Sequence, residues 1–114
     1  GTKNKHSRPE GVFRYPFECY PVHSIGASAR LIQIQRLLRP RLHRITCPTL
    51  VLQDKRDHHI APEAMELLRT SLGSNLVQAE EVPGGYHQLL LGPKCEEIFG
   101  RIEQFLGEHL RHAP

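Results

Sequence analysis

The sequence predicts an α/β fold, with two parallel strands each followed by a helix and an amphipathic helix ahead of them. Three observations predict it. Thr49-Leu50-Val51-Leu52-Gln53 is a continuous apolar run of strand length without alternation, the pattern of a strand buried on both faces in a parallel sheet. Leu76 to Val82 has strand-like spacing, with Val77 and Ala79 set against Gln78 and Glu80. Helical patterns follow each run, and strands alternating with helices imply crossover connections and an open sheet.

The elements follow in order. Residues 1–24 contain Pro9, Pro16 and Pro21 and no periodicity, so they read as extended or loop. From Ile25 to about Arg39 the apolar positions Ile25, Leu31, Ile34, Leu38 and then Leu42 recur at three- and four-residue steps. This is an amphipathic helix, interrupted near Pro40, within a segment 25–44. The first strand follows Ile45-Thr46-Cys47-Pro48. A polar loop, Asp54 to His59, leads to Ile60-Ala61-Pro62, with Pro62 placed for the first turn of a helix. Glu63 and Glu66 suit that helix's positive end, Met65, Leu68 and Leu72 form its inner face, and Gly73 stops it. After the second strand, Pro83-Gly84-Gly85 turns the chain. A last helix from Pro93 or Lys94 to His109 carries the stripe Ile98, Ile102, Phe105 and Leu106, with Glu96 and Glu97 near its start and Arg111 near its end. The only visible boundary falls near Arg44, between 25–44 and 45–114.

Composition bounds the function classes. The 114 residues, 39% hydrophobic and 24% charged, are those of one globular domain rather than a disordered or collagenous chain. No apolar stretch approaches the roughly 20 residues of a membrane helix. Gly1 to Glu10 is polar and basic without the apolar core of a secretory signal. Cys19, Cys47 and Cys95 are an odd count with no close pair; Cys47 and Cys95 read as buried small hydrophobes, and a reducing, cytoplasmic setting is expected. No Cys/His spacing suggests zinc.

The net charge of +3 hides an asymmetry. Residues 1–44 carry nine Lys and Arg against two acidic residues, a net of +7; residues 45–114 carry six against ten, a net of −4. Clustered Arg would suit a nucleic-acid arm, but Tyr15, Phe17 and Tyr20 are not interleaved with it, and a solvated helix face accounts for it more simply.

Chemistry concentrates on two loops. In open α/β sheets ligands meet the protein beyond the carboxyl ends of the strands, where Asp57 stands on one loop and Gly84-Gly85-Tyr86-His87 on the next. A carboxylate bonded to one imidazole nitrogen fixes the tautomer and stabilises the imidazolium formed when the other nitrogen takes a proton. A polar loop carboxylate and a turn histidine that merely face each other are the plainer alternative. Asp57, His58 and His59 also suggest a metal site, yet adjacent loop residues point apart and no third ligand has suitable spacing. His6, His23, His43, His109 and His112 read as exposed or helix-end residues. Cys47 and Cys95 lack a histidine partner for nucleophilic chemistry.

The run from Ile45 to Gln53, then Asp57 with Ile60 and Pro62, resembles the late strand and acid loop of α/β-hydrolases. Gly85-Tyr86-His87 followed by Gln88-Leu89-Leu90 resembles the histidine loop of the same superfamily, with bacterial carboxylesterases and monoacylglycerol lipases nearest in pattern. The helix at 25–39 resembles the stretch returning from the cap domain, which makes residues 1–24 a cap remnant. The resemblance spans roughly residues 14 to 110. It implies that Asp57 is the triad acid and His87 the general base of a serine ester hydrolase that needs no cofactor. Asp54 stands where the family often has Gly; spacing to Ile60 and Pro62 favours Asp57 as the acid.

The family's nucleophile sits in a Gly-x-Ser-x-Gly elbow between an earlier strand and helix, and this sequence contains no such motif. Gly26-Ala27-Ser28-Ala29 comes near it, in the right order before Asp57 and His87. Ser28, however, follows no hydrophobic strand and begins a helix, where a capping role is expected. The expectation is therefore a C-terminal hydrolase part holding acid and base, inactive alone, acting on a carboxylic ester only with its N-terminal half. The alternatives are a non-catalytic α/β module that self-associates through an open sheet edge, and the Arg-rich nucleic-acid binder.

Overall fold

The computed structural model describes residues 2–4 and 22–110. Cys19, His6, Arg111, His112 and most of the N-terminal segment lie outside the described residues.

β1 (Thr2–Asn4) and β2 (Val22–Ser24) pair antiparallel, with Thr2 opposite Ser24. Three-residue strands are too short to declare themselves by periodicity, so this ribbon carries no signal of its own within a segment that reads as extended or loop. Ser24 ends β2 and caps α1 (Ile25–Leu38), its hydroxyl accepting from the Ala27 N–H at 3.3 Å. This is the N-cap geometry that satisfies one of the helix's free donors. Pro40 then lies in a 3-10 turn over Arg39–Arg44, which ends α1 where the sequence places the interruption.

The central unit is β3 (Thr49–Gln53), α2 (Ala64–Ser71), β4 (Val77–Glu81) and α3 (Cys95–Leu110). β3 and β4 are parallel, in register from Thr49 opposite Val77 to Gln53 opposite Glu81. The α/β class read from the sequence is thus the observed one. Because the strands run the same way, both chain exits, after Gln53 and after Glu81, open at one edge. The Val82 N–H donates to Gln53 O at 2.8 Å and extends the ladder one step towards that edge.

Several local details differ from the sequence reading. β3 is half-buried over most of its length rather than covered on both faces, because its sheet has two strands among the described residues. α2 begins at Ala64, with Pro62 in the preceding turn, closed by Ala64 N–H to Ala61 O at 3.0 Å. It ends at Ser71 because Leu72 is already extended. Gly73 serves instead as a close-approach point: a Cβ built there would lie 1.9 Å from the His43 carbonyl oxygen. The absence of a side chain lets the end of α2 lie against the 3-10 turn. On α3, Cys95, Ile98 and Phe105 are buried and Ile102 is half-buried, while Leu106 is exposed. Cys47 is exposed in the coil ahead of Pro48, so of the two cysteines only Cys95 is a core residue. His109, read as exposed or helix-end, lies in the last turn of α3, half-buried, with its ring 4.5 Å from that of Phe105.

On the same face of the helix, between Ile98 and Phe105, Arg101 reaches β4. Its Nε donates to Glu80 and its Nη2 to Gln78 Oε1. The polar alternation of β4 is therefore spent on holding α3.

Candidate active site

The buried polar residues among the described set, Gln53 and Asp54, sit side by side at the carboxyl end of β3. Buried polar groups are retained where hydrogen bonds satisfy them, and both hold loops. Gln53 Nε2 donates to Ala61 O at 3.2 Å, closing the loop between β3 and α2. Asp54 O accepts from the Asp57 N–H at 2.9 Å, which makes a tight turn over residues 54–57.

That turn lifts Asp57 to the rim. Its carboxylate is spoken for on both oxygens. Oδ1 accepts from the His59 N–H at 2.8 Å, a side-chain-to-backbone turn that fixes the rotamer. Oδ2 lies 2.8 Å from Nδ1 of His87. The Asp57 side chain is 6% exposed and that of His87 42%. The acid is thus sheltered while the imidazole faces outward.

The histidine loop is shaped by two residues of positive φ, Gly84 at 79° and Tyr86 at 61°. For Gly84 the conformation is free of Cβ conflict. Tyr86 bears a bulky side chain in the left-handed region, an outlier of the sort that clusters at functional loops. Both N–H groups donate to Asp54 Oδ2, at 3.0 and 3.2 Å, and Asp54 Oδ1 accepts from the Arg56 N–H at 3.0 Å. Burial pushes the Asp54 carboxyl up, but the N–H donors of Arg56, Tyr86 and Gly84 and the Arg56 charge outweigh it, so the carboxyl lies below its ordinary 3.8. Backbone donors aimed at a carboxylate favour its charged form.

With the carboxylate on Nδ1, that nitrogen carries the proton and donates. Nε2 is left with its lone pair directed away from Asp57, and among the described residues it makes no hydrogen bond. This arrangement can accept a proton at Nε2 and stabilise the resulting imidazolium. His59 stacks against His87, ring centroids 4.6 Å apart at 40°, and limits the ways the imidazole can turn.

The other candidates fall elsewhere. His58 is exposed, and no group of three His, Cys, Asp or Glu among the described residues is arranged to hold a metal ion. Ser28 lies in the first turn of α1, where its hydroxyl donates to Ser24 O at 3.0 Å. Cys47 is exposed and Cys95 fully buried. Arg30, Arg36, Arg39, Arg41 and Arg44 are exposed along α1 and the 3-10 turn. No helix among the described residues is long and apolar enough to cross a membrane. Asp54, weighed in the sequence only as a rival to Asp57 for the acid, has a loop-joining role that the sequence does not signal: its sole local mark is a carboxylate immediately after an apolar strand.

No family model matches the chain. Among solved structures, a metagenome-derived lipolytic enzyme, from work on LipS and LipT, superposes with a TM-score of 0.75 at 30% sequence identity. The match covers 89% of this chain and 40% of that one, so the chain spans less than half the length of the enzyme it matches.

Proposed function

We propose that this chain, an α/β-hydrolase-like C-terminal part, supplies the acid and base of a serine carboxylic-ester hydrolase, with Asp57 as the acid and His87 as the base. The observation that carries this reading is the 2.8 Å contact of His87 Nδ1 with a sheltered Asp57, made between loops at the carboxyl edge of two parallel strands. A serine brought to Nε2 by the remaining part of the enzyme would give up its proton there as its oxygen attacks the ester carbonyl. Asp57 holds the imidazolium so formed. His87 then returns the proton to the departing alcohol, and a water repeats the cycle to release the acid. Binding, the oxyanion donors and the nucleophile belong to the rest of the fold.

The test is a chimera in which this chain replaces the matching C-terminal 40% of the similar lipolytic enzyme. The chimera is expected to hydrolyse p-nitrophenyl esters, and to lose activity on His87→Ala. A folded chimera that is inactive, or one whose activity survives His87→Ala, contradicts the reading. The isolated chain is expected to show only background hydrolysis and no burst.

A second reading, a partner-binding α/β module, is favoured by one observation. Every residue of α1 is exposed, including Ile25, Leu31, Ile32, Ile34, Leu37 and Leu38. A monodisperse monomer by light scattering argues against it.

A further inference from the structure

We propose that Asp54 is the positioning residue of this site: its carboxylate fastens the histidine loop to the acid loop and so aims His87 at Asp57. The proposal rests on the acid–base reading above. It rests further on four features of Asp54 itself.

The residue is 3% exposed, yet it has no buried cation beside it. The Arg56 Nε lies at 3.6 Å on a side chain 72% exposed. Its carboxylate is instead consumed by three backbone N–H groups, one from its own loop and two from residues 30 and 32 positions later. It is the one described side chain whose hydrogen bonds join the two loops apart from the Asp57–His87 pair itself. One of the two distant donors is Tyr86, the residue of positive φ immediately before His87. A non-glycine residue leaves that region when nothing holds it, and its relaxation would rotate the backbone that carries the imidazole. Finally, Asp54 O receives the Asp57 N–H, so one residue orders both members of the pair, by main chain on one side and side chain on the other.

The same facts separate the two carboxylates. Both Asp54 oxygens are turned inward onto N–H donors, which leaves Asp57 to meet the imidazole.

The experiment reads the tautomer of His87 by imidazole ¹⁵N shifts in the labelled full chain at a pH where the ring is neutral, with amide hydrogen exchange at Gly84 and Tyr86 measured alongside. Wild type is expected to hold the Nδ1–H tautomer, and Asp57→Ala to lose it. Asp54→Asn, with α2 and α3 amide shifts unchanged, is expected to lose it as well and to speed exchange at Gly84 and Tyr86 on the order of tenfold. A folded Asp54→Asn that keeps the wild-type tautomer overturns the proposal while the Asp57–His87 reading stands. If wild type and Asp57→Ala show the same tautomer, the acid–base reading has failed, and the positioning role fails with it whatever the amides do. Should Asp54→Asn not fold, acid titration of wild type decides: Gly84 and Tyr86 amide protons must move together with the Asp54 carboxyl carbon, and amides that ignore it overturn the proposal.

Discussion

Replacing Asp57 with Asn removes a charge and, in this site, also forces a choice. The carboxylate serves two donors, the His59 N–H at Oδ1 and His87 Nδ1 at Oδ2, each at 2.8 Å. An amide has one oxygen. If it stays with the His59 backbone, the –NH₂ faces His87 Nδ1, which must then present its lone pair. If it turns to His87, two N–H donors confront each other where the side chain is 6% exposed, a buried mismatch of about 1–3 kcal/mol. The first arrangement therefore wins, and it moves the imidazole proton to Nε2, the atom that serves as base in the proposed function. The loss is a wrong tautomer as well as a weaker hydrogen bond. In the chimera described above, Asp57→Asn is expected to lower kcat about a thousand- to ten-thousand-fold, with KM little changed. That is about 4–5.5 kcal/mol of transition-state stabilisation. Initial rates on a p-nitrophenyl ester, normalised to serine labelled by a phosphonate, measure it. A kcat within tenfold of the parent chimera, or a loss carried by KM alone, refutes the tautomer argument.

Three further outcomes follow from the geometry. Gly73→Ala places a Cβ 1.9 Å from the His43 carbonyl, and the backbone shift it forces should cost about 1–3 kcal/mol, read as a lowered midpoint in urea unfolding followed by circular dichroism. Ile98→Ala, emptying one of the three buried apolar positions among the described residues, should cost about 2–4 kcal/mol by the same assay. The Asp54 carboxyl titrates below its ordinary 3.8 in the folded chain; its contribution is fully present above that value, where both states are ionised. It is lost as pH falls below it, because the unfolded chain takes up the proton first. Unfolding free energies measured between pH 6 and pH 3 should decline more steeply in wild type than in Asp54→Asn.

What was legible in the sequence is what short-range pattern encodes. An apolar run of five, a Pro near a helix start and a Gly-Gly turn are local signals. They suffice to place β3, α2, β4 and α3 to within a few residues and to put Asp57 and His87 on loops at one edge. What was not legible depends on contacts made across the fold. The role of Asp54 exists only because loops 30 residues apart meet over its carboxylate. The stripe on α3 names four apolar residues, but which of them is buried depends on where the helix lies on the sheet, and Leu106 falls outside while Ile98 and Phe105 fall within. The positive φ of Tyr86 has no compositional signal, since the residue types that usually occupy that region are Gly, Asn and Asp.

α1 poses the same question on a larger scale. Its three- and four-residue spacing predicts a face to be buried, yet Leu31, Ile34, Leu37 and Leu38 are 51–62% exposed, and Ile25 and Ile32, on the other side, 47–53%. Apolar residues on both sides describe a helix meant to lie between two layers rather than on a surface. Fully burying an aliphatic side chain of this size is worth about 1.5–3 kcal/mol, so six half-exposed ones represent several kcal/mol of unrealised burial. The half-buried β3 belongs to the same pattern, a strand of parallel-sheet composition with one neighbour among the described residues. On the proposed reading both deficits have the same sense as the site, where Asp57 and His87 face a position for which no described residue supplies a nucleophile. If the proposed function holds, covering α1 and β3 and completing the site are the same requirement. A productive chimera should therefore protect α1 amides and gain esterase activity together.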